Sequence, residues 1–131
     1  MDLNVFIEKI DADVLFLTNN TGVDINQYDF LVLEDYAAIA MEDVANGASG
    51  PFRVADGTIF QAAGATGLKA GEDNFATRGQ EVFYDPVDRR LSDTATVGYY
   101  AVGKLNAVKT SGNMIKVDKY RFADPVLSDE T

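Results

Sequence analysis

The sequence predicts an all-β domain, a small β-sandwich or β-barrel of about eight or nine short strands with an N-terminal arm. Three observations carry this expectation. Short apolar runs recur at roughly ten-residue spacing, and Gly, Asn, Asp and Pro punctuate them as turn residues do. The apolar set is dominated by aromatic and β-branched side chains, with 8 Phe and 6 Tyr against no Trp, and these suit a pleated surface better than a helix. The chain has 131 residues, 47 % of them apolar, enough to bury one core, and shows no internal repeat or domain boundary. The expected organisation is an arm over 1–13, a β domain over 14–122 and a polar tail over 123–131.

The arm carries Leu3, Val5, Phe6, Ile7 and Ile10 in a spacing neither helical nor alternating. These five are the candidate partner-binding residues, because large apolar side chains ahead of the first strand need cover. The same segment reads equally as a short strand packed on its own domain. Val14-Leu15-Phe16-Leu17 is the first confident strand, closed by the turn cluster Thr18-Asn19-Asn20-Thr21-Gly22. Asn19-Asn20-Thr21 fits the N-glycosylation pattern, which is read as chance without a secretory signal. Phe30–Leu33 is a strand, Glu34-Asp35-Tyr36 a tight connection, and Ala37–Met41 the return strand. An Ala-rich run can be helical, but this one is short and lies between turn signals. Pro51 opens the strand Phe52–Ala55, and Asp56-Gly57 is the strongest hairpin signal, returning through Thr58–Gln61. Residues 62–80 hold Gly64, Gly67, Gly71 and Gly79 and read as a long loop of small residues that orders only on contact with a partner. Strands follow at Gln80–Tyr84, Val97–Leu105 and Met114–Phe122, with a turn at Asp85-Pro86-Val87-Asp88 and Arg89–Ser92 leading out of it.

Composition excludes much chemistry. Cysteine is absent, so there is no disulfide, thiolate metal site or cysteine nucleophile. Histidine is absent too, which removes the usual general base and the commonest zinc ligand. Asp11 and Asp13, Glu34-Asp35, Glu42-Asp43, and Asp85 with Asp88 are the carboxylate sets, and none matches a calcium loop. A glycosidase needs two carboxylates across a cleft, but any acidic chain offers pairs. Gly64-Ala65-Thr66-Gly67-Leu68-Lys69 lacks the spacing of a phosphate-binding loop. No catalytic, cofactor-binding or metal-binding residue is therefore expected, and no cofactor. The net charge of −10, from 21 acidic and 11 basic residues, opposes nucleic acid and anionic membrane as partners. No apolar run approaches the roughly 20 residues of a membrane span. The first residues lack a basic n-region, so synthesis in a cytoplasm is expected.

The order of the turns carries a resemblance. Arg78-Gly79-Gln80-Glu81-Val82-Phe83-Tyr84-Asp85, then Arg90-Leu91-Ser92, Thr94-Ala95-Thr96-Val97-Gly98 and Ala101-Val102-Gly103 follow one another as in the C-terminal half of tailed-phage capsid decoration (head cement) proteins. Thr21-Gly22-Val23, the strand Phe30–Leu33, Ile39-Ala40 and Ala45-Asn46-Gly47 resemble the N-terminal half. The similarity spans roughly residues 14–122 and is built from turn glycines and strand apolars. Residues 62–78 look longer than the family's corresponding connection, and 1–13 precede its usual start. The resemblance implies a structural protein, not an enzyme, that binds the outside of a phage head and stabilises it. It implies the major capsid protein as partner, a homo-oligomer with a trimer preferred, and a place on the capsid surface after synthesis in the host cytoplasm. The alternatives are a receptor- or ligand-binding β-module of a virion fibre and, behind it, a carboxylate-dependent hydrolase.

Overall fold

The structure, a computed structural model, describes residues 13–63, 68, 75–109 and 114–127. Among the described residues the nine strands are β1 (Val14–Thr18), β2 (Phe30–Leu33), β3 (Tyr36–Ala40), β4 (Ser49–Arg53), β5 (Ile59–Ala63), β6 (Glu81–Asp85), β7 (Arg90–Ser92), β8 (Tyr100–Ala107) and β9 (Met114–Pro125). All named pairings are antiparallel, in the order β1-β4-β3-β9-β8-β6-β7, with β2 on β3 and β5 on β9. The all-β expectation and the strand count hold, and the sheet does not close into a barrel. Instead it curls. Phe30 of β2 stacks on Phe60 of β5 at 4.8 Å and meets Tyr84 of β6 edge-on at 5.3 Å. β2 and β5 do not pair with each other, so this contact between their side chains records the curl.

The bend is built into β9. On β8, Gly103 faces Lys119 while Ala101 faces Asp124, so two positions on one strand span five on the other. Such a bulge bends the strand and leaves backbone groups without ladder partners. Lys119 answers part of that deficit. Its side chain is 1 % exposed, and Nζ donates to the carbonyls of Ala37 (2.7 Å) and Tyr120 (2.8 Å). Within the bulged stretch β9 pairs with β3 through Tyr36 and Phe122, which joins the two halves of the sheet. The strand continues to Pro125 with Ala123 buried, past the expected boundary at 122, because Asp124 and Pro125 still pair with β8.

Burial pushes the Lys119 ammonium down to about 8 from an ordinary 10.5, with Asp56 opposing the shift. Between those two values the unfolded chain binds a proton that the folded chain does not, so stability rises with pH through the window. Tyr84 and Tyr120 are pushed up to about 12, mainly by burial, so above pH 10 they act with the opposite sign. Unfolding in denaturant should therefore show stability rising from pH 8 toward 10 and falling beyond it. Lys119→Met should flatten the rising limb, and an unchanged limb would show that Lys119 is not its source.

Local differences from the sequence reading have identifiable causes. Asp56-Gly57 does form a turn, but β4 and β5 do not pair. The turn is held by β9 instead, through Gly57 N to Lys119 O (2.8 Å) and Lys119 N to Thr58 O (2.9 Å), and the two strands diverge from it. Pro51 lies inside β4 rather than ahead of the strand. Its carbonyl accepts from Met41 N (3.0 Å), and Met41 O, which a residue with an N–H would have met, receives Nε2 of Gln27 (3.2 Å). The expectation of a bare loop over 62–80 is corrected at four positions, the first two being Ala62 and Ala63, which end β5 and pair with Ile115 and Met114 of β9. Leu68 bridges to Leu91 and is buried, and Phe75 is fully buried in the core.

Asn19 is fully buried and holds two loops together. Nδ2 donates to Val23 O (2.7 Å) and Val44 O (3.0 Å), while Oδ1 accepts from Thr21 N (3.1 Å) and Thr21 Oγ1 (2.7 Å). The apparent glycosylation pattern is thus a structural turn: the amide that would carry a sugar is committed inside the fold.

Candidate functional site

The curl that brings β2 over β5 and β6 leaves an open groove of about 1140 Å³. Phe30, Ile39, Ile59 and Phe60 contribute apolar surface to it, and Arg53, Arg89 and Arg90 stand in its lining against a single carboxylate, Asp29. That balance departs from a chain whose net charge is −10. Arg53 is fixed by Nε donating to Thr58 Oγ1 (3.1 Å), and Arg89 is held in the turn after β6, its N–H donating to Asp85 O (2.7 Å). Tyr84 also lines the groove, and its pKa near 12 keeps it a neutral phenol.

The groove continues onto an exposed face. Cross-strand partners share a face of a sheet. Phe30, Ile39, Arg53 and Val14 are paired in one row across β2, β3, β4 and β1, and Phe16 lies two residues along on the same side. Phe16 is 74 % exposed, with Tyr28 and Ile59 also exposed beside the groove. β1 has one strand partner among the described residues, β4, and no described strand covers its other edge. A second apolar feature stands where β3 meets β9: Tyr36 and Phe122 stack at 4.9 Å, with the Arg121 guanidinium 5.7 and 5.9 Å from the two ring centres.

The carboxylates singled out in the sequence mostly order turns. Asp85 is buried, and its Oδ1 accepts from Val87 N (2.9 Å) and Asp88 N (3.3 Å). Asp43 Oδ1 accepts from Gln27 N (2.8 Å). Glu34 and Asp35 form the β2–β3 turn with φ of 51° and 68°, a left-handed pair usually given to Asn-Gly, and Asp35 O is tied to Ala123 N (2.8 Å). Among the described residues no three carboxylates gather where they could hold a metal ion. Leu3, Val5, Phe6, Ile7 and Ile10 lie outside the described residues, as does Asp11. The groove was missed from sequence because its lining comes from β2 through β7 and the connections before β2 and after β6, whose juxtaposition follows from the bend in β9. The adjacent pair Arg89-Arg90 in an acidic chain was the available signal.

A family model described as phage cement protein matches residues 10–118, most of the chain and all of β1 through β8. No curated protein and no solved structure matches it. The match begins after Leu3, Val5, Phe6 and Ile7 and includes Ile10. It agrees with the order of turns that resembles head decoration proteins. On this fold and this match, the chain belongs to the phage cement protein family, a family of structural proteins of the phage head.

Proposed function

We propose that the protein binds the outside of a phage head shell, against the major capsid protein, and stabilises the particle without doing chemistry. The family match over residues 10–118 carries this reading. A chain with no His and no Cys loses nothing in such a role, and a net charge of −10 keeps it soluble before assembly. The edge of β1 that no described strand covers and the exposed apolar residues around the groove are surfaces of the kind that assembly covers. The protein is made in the host cytoplasm and acts as a homo-oligomer, a trimer by preference. Leu3, Val5, Phe6, Ile7 and Ile10 contribute to its assembly contacts, since each large apolar side chain left in water forgoes roughly 1.5–3 kcal/mol.

Shells assembled without the protein should form but break at lower temperature or lower salt than complete particles. Purified protein added back should bind the bare shells and restore their stability. Bare shells that neither bind it nor gain stability would overturn the reading.

A further inference from the structure

We infer that the arginine-bearing groove receives the N-terminal segment of a second copy of this chain. Three features lead there. The first is chemical fit. The groove joins apolar surface from Phe30, Ile59 and Phe60 to a lining with three arginines and one aspartate. Residues 2–11 join five large apolar side chains to Asp2, Glu8 and Asp11 against Lys9. In extended backbone alternate side chains share a face, so Leu3, Val5 and Ile7 would line one side of such a strand.

The second feature is reach. Residues 1–12 precede the described chain, and twelve residues extended span ~40 Å, against roughly 30–40 Å across a domain of this length. The third is direction. Asp13 is still in register with the sheet, its carbonyl accepting from Val54 N (2.8 Å), so the chain enters β1 along the outer edge of β4. An arm leaving along a sheet edge is placed to reach a neighbour, and exchange of arms among copies closes a small ring where the rotation between copies closes. The inference rests on the reading of the arm as an assembly segment and adds its receptor.

The absence of cysteine makes the test clean. Full-length Val5→Cys and full-length Ile59→Cys proteins are mixed and treated with a short bis-maleimide. Ile59 is 54 % exposed, so its replacement leaves the core intact. The expected result is a crosslinked pair containing one chain of each kind, with Leu127→Cys, 84 % exposed, giving none in place of Ile59→Cys. Adding Arg89→Glu to the Ile59→Cys chain should lower the yield at least fivefold. No crosslink in the mixture overturns the proposal. So does a crosslink found only within single chains carrying both cysteines, which would place the arm in its own groove. Binding of the unmodified protein to bare shells is measured in parallel. Shell binding without crosslinking sinks the arm exchange alone, and crosslinking without shell binding sinks the cement reading alone.

Discussion

Replacing Gly103 with alanine is expected to destabilise the isolated protein by about 3 kcal/mol or more. Gly103 sits inside β8, paired with Val82 of β6 on one side and Lys119 of β9 on the other. A Cβ there would run into the backbone carbonyl of Asp118 and approach Val117 Cγ1 at 2.8 Å and Asp118 C at 3.1 Å. The obstacle is main chain, so no rotamer change relieves it, and the strands must separate at the point where β9 begins its bulge. Gly50 makes the instructive comparison. A Cβ at Gly50 would approach Val44 Cγ2 at 2.5 Å, but that is a side chain, and its displacement is the gentler adjustment. Gly50→Ala should therefore cost less than Gly103→Ala in the same denaturant titration. Equal costs, or a neutral Gly103→Ala, would mean that the β8–β9 contact yields more readily than its geometry says.

That glycine shows where sequence reasoning reached and where it stopped. Val97–Leu105 reads as a strand because of its aromatic and β-branched residues, and β8 is there from Tyr100 on, whereas Val97 and Gly98 form a turn with Gly98 at φ 95°. Nothing local says that Gly103 is a close approach between strands, because Asp118 lies far along the chain. The same holds for Lys119. It stands two residues beyond Val117, on the face that Ile115 and Val117 turn inward, and its charge hides that placement in the sequence. Regular alternation turns the side chain inward, and its ammonium is satisfied there by the carbonyls of Ala37, 82 residues away, and Tyr120. Turns were legible where a residue type demands its geometry, as at Gly22 and Gly57, whose φ values are 93° and 82°. The partners of strands were not. Asp56-Gly57 announces a turn but cannot announce that β9, rather than the returning strand, will satisfy it. The groove is the largest thing missed, since each lining residue belongs to an unremarkable strand or turn until the sheet curls.

Phe75→Ala is expected to cost the free protein about 3–5 kcal/mol, the range for removing a buried phenylalanine. By sequence, Phe75 falls in a stretch of small residues whose four glycines suggested a loop ordered only by a partner. In the fold its ring is fully buried with Phe52, Val82 and Leu105 in the same core. Its backbone has φ of 36°, sparsely populated for a bulky residue, and is held by Lys109 N donating to its carbonyl (3.1 Å). A strained backbone persists where packing over-determines it, so the ring's burial and the unusual φ point to the same anchor. Alanine would keep the strain and lose the packing that sustains it. Phe75→Leu, which fills more of the space, should cost less, and Val87→Ala, at a side chain 86 % exposed, should cost nothing measurable. The decisive quantity is the denaturant midpoint of the protein alone, with no shell present. If Phe75→Ala leaves that midpoint unchanged, the segment contributes nothing to the free fold, and ordering on contact returns as its description. If the midpoint falls with an unchanged slope, the core extends into the connection between β5 and β6, and only the residues around the anchor remain available to a partner.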